Sequence, residues 1–500
     1  MRERNEQEQI RYEKLKVLRE KGNAYPNNAK VNTSTEKLLA LEIKDKENSD
    51  KWSIVGRIMQ KRIMGKASFV HIQDRYGKIQ IYVRKDDIGE DAYNEFKHFD
   101  IGDIVEVEGY LFLTQTQEKT IHCEKIRLIT KSLIPLPEKW HGLSDVDSRF
   151  RHRYIDLISN QDVRDIFVKR SKIISYIRNF LQERGYIEVE TPILSDIASG
   201  AIARPFKSHY NALGIDVQLR IAPELPLKKL IVGGLEKVYE IAKNFRNEGL
   251  SKKHNPEFTM LEFYEAYQDY YYLMDLTEEL ITGLVQSIYG ATKIKYGELD
   301  IDFSRPWKRV SMRDSLVEIG GVAANRDLDD LSELIKIAEE KKIHLDDKSD
   351  WGVVLETLWG ELVESKLINP VFITQHPFSI SPFARKNDQD ERITDRFELI
   401  IAGMEVANAF SELNDPEDQL NRLLEQARKK SGGTLEVADL DEDYIQALEY
   451  GMPPTAGEGI GIDRLVMLLT NSHSIREVVL FPQLKPLEKI DQESSEENKE

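Results

Sequence analysis

The chain contains one cysteine, Cys123, which excludes an internal disulfide and any cysteine-rich zinc site. No apolar run approaches the ~18 residues of a membrane-spanning helix, so an integral helical membrane protein is excluded as well. Familiar catalytic signatures are missing too. There is no G-x-x-x-x-G-K-S/T phosphate loop, no G-x-S-x-G elbow, and no His and Cys at metal-ligand spacing. A nucleotide handled by this chain needs another geometry. The first thirty residues are dense in Arg, Glu and Lys without an apolar stretch, which predicts no secretory signal and a cytoplasmic protein.

What is present fits a large globular protein. Five hundred residues exceed one ordinary core, and 40% hydrophobic with 31% charged residues can bury enough apolar surface to fold. The net charge of −17 is unevenly spread. Residues 1–145 carry 26 Lys and Arg against 24 acids, and the remainder 44 against 63. The N-terminal part is therefore the region suited to phosphates, although a net of +2 is no strong footprint. An ordinary solvated surface accounts for these charges equally well.

Residues 3–21 read as a charged amphipathic helix stopped by Gly22 and then Pro26. From about 52 to 130 five short β-type runs (WSIVGRIM, SFVHIQD, KIQIYVRK, DIVEVEGYLFLT, TIHCEKIRLIT) are punctuated by glycines, which suggests a small barrel of the OB type. Pro135 and Pro137 mark a linker. Beyond it, helical stretches alternate with β-like runs, 326–369 has the spacing of an inserted helical piece, and a glycine-rich turn precedes a last helix near 462–470.

Three segments combine residues that a plain core would not use. In KNFRNEGLSKKHNPEFTMLEFYEAY two β-like runs flank a loop from Gly249 to Pro256. Alternation puts Arg246 with Glu248 on one face, and Phe258, Met260, Glu262 and Tyr264 on one face. A cleft in which arginine clamps an anion and phenylalanine offers a stacking surface would look like this, but so would an exposed strand face with an ion pair. In DRFELIIAGMEVANAFSELND a turn at Ala402-Gly403 brings Glu398 near Glu405, a pair that repels unless a hard cation such as Mg²⁺ intervenes. Asn408, Phe410 and Glu412 step by two onto one face. Glu405 is out of that alternation and joins them only through a bulge. In TAGEGIGIDRLVMLLT, Gly457, Gly459 and Gly461 permit close backbone approach to a ligand, with Arg464 near a helix N-terminus.

With GYIEVETPIL (185–194) ahead of them, these segments resemble the three ordered signature motifs of class II aminoacyl-tRNA synthetases. RIAPEL, FRNEG and HNPEFTM, FSELND, PPTAG, GIGIDR and RIMGKASFV extend the resemblance to the class II lysyl-tRNA synthetases of bacterial type, from the first helix to about Pro486. The resemblance implies a multidomain α+β fold. Residues 1–50 would be a helical extension, 51–145 an anticodon-binding OB-fold barrel, and 146–487 a catalytic antiparallel sheet flanked by helices, with 326–369 inserted. Residues 488–500 would be a disordered acidic tail. It implies a homodimer whose interface includes the segment ending at Pro192, with lysine, ATP, Mg²⁺ and tRNA(Lys) as ligands.

By matching position, Arg246 would bind the lysine carboxylate and the ATP α-phosphate, and Arg464 the terminal phosphate. Glu248, His254 and Asn255 would hold ATP, Phe258 would stack on adenine, and Glu398 and Glu405 would ligate Mg²⁺. Glu224 and the backbone at Gly200 would receive the α-amino group, and Asn408 would help hold the carboxylate. Glu262, Tyr264, Phe410 and Glu412 would line the side-chain pocket, where buried carboxylates suit an ammonium. Phe69, Gln80 and Glu118 would meet anticodon bases, although Phe69 alone would also pass for barrel core.

Four positions depart from the family pattern. Ala409 replaces a glycine and is expected to add a methyl close to the lysine pocket. Pro226 replaces an aromatic, ASGA at 198–201 replaces a more glycine-rich turn, and Glu458 is expected to put a carboxylate near the triphosphate. Three other functions stay open at this point: an aspartate or asparagine synthetase, a lysyl-transferring paralogue that modifies protein, and a non-catalytic tRNA-binding paralogue. Glu262 and Glu412 speak against the first, the barrel against the second, and the retained Arg246, Glu398, Glu405 and Arg464 against the third.

Overall fold

The computed structural model describes residues 3–43, 47–137, 145–197, 200, 203–430 and 441–486. The acidic tail and Ala198, Ser199 and Ala201 of the ASGA turn lie outside the described residues. The chain forms two compact units, Met1–Gln161 and Asp162–Glu500.

In the first unit a helix spans Glu6–Lys21. Asn5 caps it by accepting from the Glu8 N–H at 2.9 Å, and Gly22 ends it. Five strands follow: β1 (Glu47–Met64), β2 (Ala67–Gln73), β3 (Lys78–Arg84), β4 (Ile104–Leu113) and β5 (Lys119–Thr130). They close into a barrel in the order β1-β2-β3-β5-β4. Alternation decides what faces inward. On β3, Ile79, Ile81 and Val83 are buried while Gln80 and Tyr82 face outward.

The second unit is built on an eight-stranded sheet. Its strands are β6 (Ile187–Glu188), β10 (Lys237–Phe245), β11 (Glu257–Ala266), β14 (Lys308–Ser311), β15 (Val371–Thr374), β16 (Arg396–Ile401), β17 (Met404–Ser411) and β18 (Thr455–Gly461). Small sheets hold β7 (Leu194–Ser195), β8 (Lys207–Tyr210) and β9 (Ile215–Leu219), and β12 (Lys293–Tyr296) with β13 (Leu299–Asp302). The large sheet runs β14-β15-β16-β17-β18-β11-β10-β6, antiparallel from β15 to β10 and parallel at both edges.

One face of this sheet is covered by the helices Gln161–Glu183, Tyr270–Tyr289 and Ile462–Thr470. They bury Leu261 and Phe263 of β11, Ala407 and Ala409 of β17, and Ile460 of β18 in one core. Each large apolar side chain so buried is worth about 1.5–3 kcal/mol. The alternate residues of the same strands are left on the opposite face, where the helices Glu224–Val232 and Glu442–Glu449 cover one end, against Val238, Tyr264 and Ala266, and the rest is open to a ligand. Between β14 and β15 the helices Met312–Glu318, Leu331–Lys341 and Trp351–Leu362 make a second core with Val310, Ile373 and Ile400.

One expected turn is a strand. TAGEGIG forms β18, hydrogen-bonded to β11 on one side and β17 on the other. Pairing on both edges overrides the weak strand preference of glycine.

Candidate active site

The face of the large sheet opposite the main core carries a cavity of about 400 Å³. Of the residues expected at the catalytic site, only Glu398 and Glu412 lie outside its wall. The β10–β11 hairpin supplies the first group. Asn244 pairs with Phe258, and beyond the strand the Arg246 N–H still donates to Pro256 O at 2.9 Å. The Arg246 guanidinium lies 5.1 Å from the Phe258 ring centroid. Burial draws its pKa down while Glu248, Glu262 and Glu405 oppose the shift. Its Nε has no hydrogen-bond partner, nor does Asn255 Oδ1. Buried polar atoms left unpaired at the wall of a cavity are groups that a polar ligand would satisfy. Across the loop, His254 Nδ1 is 2.8 Å from Ser251 Oγ. Burial and then Arg464 lower the imidazole pKa, so the ring is neutral near pH 7.

The β16–β17 hairpin supplies the second group. Ala402 and Gly403 both have positive φ, 50° and 64°, as a two-residue loop joining Ile401 to Met404 requires. Leu399 pairs with Ala407 but Ile400 with Glu405, so Val406 is an extra residue on β17. This is the bulge that the alternation of Glu405, Asn408, Phe410 and Glu412 demanded, and it returns Glu405 to the cavity face. Arg464, in the first turn of the helix Ile462–Thr470, donates to Glu405 O at 2.6 Å and Glu405 Oε2 at 3.2 Å.

Glu398 is held by Arg396 Nη2 at 2.5 Å, and the Arg396 Nε donates to Asn408 Oδ1 at 2.9 Å. Burial keeps Glu356 and Glu364 above the ordinary carboxyl range, and Glu398 and Glu405 push in the same direction. Among the described residues no three His, Cys, Asp or Glu side chains form a ready-made metal cage. The carboxylates fit a hard cation that takes its remaining ligands from phosphate oxygens and water.

The third group surrounds the enclosed end. Glu224 opens the helix Glu224–Val232, and a Cβ on Gly200 (φ 87°) would stand 3.0 Å from the Glu224 Cβ. Glu262 is buried with its Oε2 3.3 Å from the Tyr264 hydroxyl, and Glu412 is buried beside Phe410. Burial and then Glu224 push the Glu262 pKa up to about 8. A Cβ on Gly457 would overlap Glu412 Oε1 and the Tyr264 ring, so glycine keeps this end open. Lys228, which sequence reading missed, is ion-paired to both Glu224 and Glu412. Its spacing of four from Glu224 on one helix was the available signal.

Two of the departures from the family pattern fall elsewhere than expected. Ala409 faces the helices, fully buried in the main core, so its methyl does not reach the enclosed end. The Glu458 carboxylate also faces the helices and accepts from the Thr277 Oγ1 at 2.6–2.7 Å, so it points away from the cavity. Strand alternation explains both, because each sits between two cavity-facing neighbours. Pro226 lies in the first turn of its helix, where a missing N–H costs no intrahelical bond.

On the barrel, Phe69 pairs with Tyr82 across β2 and β3, and their ring centroids are 5.1 Å apart. Its neighbours Ser68 and Val70 point into the barrel, so Phe69 is half-buried on the outer face and is not core. The Gln80 Nε2 donates to Glu118 Oε2 at 2.9 Å, which brings the three expected residues onto one surface. Sequence reading missed the rest of the platform: Tyr82, Phe112, Tyr110 and His122, with Tyr110 and His122 stacked at 4.8 Å. Outward alternation on β3, β4 and β5 was the signal.

Residues 145–485 match the family of class II tRNA synthetases (D, K and N), and residues 52–129 match the OB-fold nucleic acid binding domain. The lysine–tRNA ligase of Nitrosomonas europaea is 52% identical over 480 residues, covering 95% of this chain and 96% of its own. Those of Escherichia coli and Edwardsiella ictaluri are each 50% identical, over 490 and 488 residues. They cover 97% and 96% of this chain and 97% of their own.

Proposed function

Because the chain belongs to the class II tRNA synthetases, we propose a role for each group in its cavity. The activity is that of a lysine–tRNA ligase: lysine and ATP give lysyl-adenylate and pyrophosphate, and the lysyl group passes to the 3′ end of tRNA(Lys). The observation that carries the substrate assignment is the enclosed end, where the buried carboxylates Glu224, Glu262 and Glu412 call for cations. A substrate with a side-chain carboxylate, aspartate for instance, would meet like charge there.

Lysine would lie with its ε-ammonium among Glu262, Tyr264, Phe410 and Glu412, and its α-ammonium at Glu224 and the backbone of Gly200. Asn408 and Arg246 would hold its carboxylate. ATP would stack on Phe258 and be held by Glu248, His254 and Asn255, with its α-phosphate at Arg246 and its terminal phosphate at Arg464. The lysine carboxylate is already anionic and attacks the α-phosphorus directly, so no protein base is needed. Arg246 acts by bringing two anions together and neutralising charge in the transition state. Glu398 and Glu405 would hold Mg²⁺, which supplies further neutralisation of phosphate charge.

On the barrel, Phe69 would stack on an anticodon base while Gln80 and Glu118 supply hydrogen bonds that specify. We propose the domain limits 1–50, 51–145 and 146–487, with 326–369 as an insertion, and 488–500 as a disordered acidic tail. A homodimer is supported by the exposed Ile187, Ile193 and Leu194 around Pro192, and sedimentation would test it. Among the described residues no helix is long and apolar enough to cross a membrane. A cytoplasmic site of action is proposed from the tRNA substrate.

ATP–pyrophosphate exchange with each of the twenty amino acids tests the substrate assignment. Only lysine should give a strong signal, and its failure to do so would sink the assignment.

A further inference from the structure

Arg396 sits where three parts of the cavity meet. It lies on β16 two residues before Glu398, so the two share the face that bears the cavity, and Asn408 of β17 is the cross-strand partner of Glu398. The guanidinium divides its donors among three acceptors. Nε donates to Asn408 Oδ1 at 2.9 Å, Nη1 to Ser381 Oγ at 2.9 Å and Nη2 to Glu398 Oε1 at 2.5 Å. Ser381 Oγ donates in turn to Pro377 O at 2.8 Å, which leaves its lone pairs for the arginine. Ser381 belongs to the segment 380–384 that walls the cavity.

The bond to Asn408 fixes a direction. An asparagine amide has an acceptor end and a donor end, whereas an arginine side chain only donates. Arg396 therefore selects Oδ1, and Asn408 Nδ2 is turned the other way. Among the described residues nothing accepts from Nδ2, and Asn408 forms part of the cavity wall. A donor held in one direction at the wall is ready to bond a carboxylate. With the amide reversed, Oδ1 would face that carboxylate and repel it. A lysine at position 396 would keep the charge but offer one nitrogen in place of the three that Arg396 uses.

We propose that Arg396 is a positioning residue for the reaction: it orients the Asn408 amide so that Nδ2 meets the substrate carboxylate, and it ties that strand to the wall at Ser381. It acts through Asn408 and makes no contact with the substrate itself. The proposal rests on the lysine-site reading above and deepens it.

A double-mutant cycle tests it in lysine-dependent ATP–pyrophosphate exchange at saturating ATP and Mg²⁺. The four proteins are the unaltered chain, Arg396→Lys, Asn408→Ala and the combined variant. Each single change should lower kcat/KM for lysine by about tenfold or more. The combined variant should fall within about twofold of Asn408→Ala, because the orienting contact has nothing left to orient. Cadaverine, which has both nitrogens of lysine and no carboxylate, gives a second reading as a competitive inhibitor. Its inhibition constant should stay within about twofold across the four proteins, since it never reaches Asn408. Losses that multiply in the combined variant, or an Arg396→Lys variant with unaltered kcat/KM, would overturn the proposal. So would a cadaverine constant that weakens with Arg396→Lys, because the cavity as a whole would then have collapsed. Should Arg396→Lys fail to fold, Arg396→Met takes its place in the same cycle. Absence of lysine-dependent exchange by the unaltered chain would be a different failure, that of the lysine-site reading itself.

Discussion

At the scale of single residues, two side chains show how far position on a strand governs chemistry. Arg246 faces the cavity with an unpaired Nε, where the proposed reaction brings two anions together. Arg246→Ala should abolish adenylate formation in a folded protein, with a loss on the order of 3 kcal/mol or more in transition-state stabilisation. Near-normal pyrophosphate exchange would refute that role.

Glu458 sits one residue from two cavity glycines yet faces the helices, where burial pushes its pKa up to about 8 against the help of Thr277. The folded chain therefore keeps a proton that the unfolded chain releases above the ordinary carboxyl range. Stability attributable to this group is present at low pH and falls as pH rises toward 8, by up to about 1.4 kcal/mol per pH unit. Glu458→Gln removes that titration, so the variant should gain on the unaltered chain between pH 5 and pH 8. Parallel melting-temperature curves across that range would mean that Glu458 titrates as an ordinary carboxyl.

At the scale of elements, the β16–β17 hairpin joins sequence to site. Glu398 and Glu405 are reached through the positive-φ loop and the bulge at Val406, and each is held by an arginine. Glu398→Gln and Glu405→Gln should each raise the Mg²⁺ concentration needed for half-maximal activity, since loss of a charged ligand weakens a hard-cation site. Magnesium titrations that superimpose on the unaltered chain would leave these carboxylates with a structural role only.

The same hairpin shows what the sequence could and could not reveal. Its turn was legible from Ala402-Gly403, and the need for a bulge from the broken alternation, because both depend on neighbours in the chain. The strand character of β18 was hidden because three glycines carry a turn signal that only pairing partners from β11 and β17 reverse. The facing of Glu458 was hidden with it, whereas that of Ala409 was legible from its place between Asn408 and Phe410. Lys228 escaped notice because its counter-ion Glu412 lies 184 residues later in the chain, and only folding joins them. Barrel and helices, by contrast, were legible from local periodicity.

At the scale of the whole molecule, tasks follow units. Every residue assigned to lysine or ATP belongs to Asp162–Glu500, and every residue assigned to the anticodon belongs to Met1–Gln161. Phe69→Ala should therefore weaken aminoacylation of tRNA(Lys) while leaving lysine-dependent pyrophosphate exchange unchanged. Losing one aromatic stack on a base costs about 1–3 kcal/mol, or roughly five- to a hundred-fold in tRNA affinity. The outward position of Phe69 adds a second expectation. A residue on the barrel's outer face leaves little cavity when truncated, so the melting temperature should move far less than for Ile81→Ala, whose side chain is fully buried in the barrel core. Exchange activity, tRNA affinity and melting temperature are three independent readings of one substitution. A large drop in melting temperature with unaltered tRNA affinity would remove Phe69 from the recognition surface. A fall in pyrophosphate exchange would show that the two units do not divide the work.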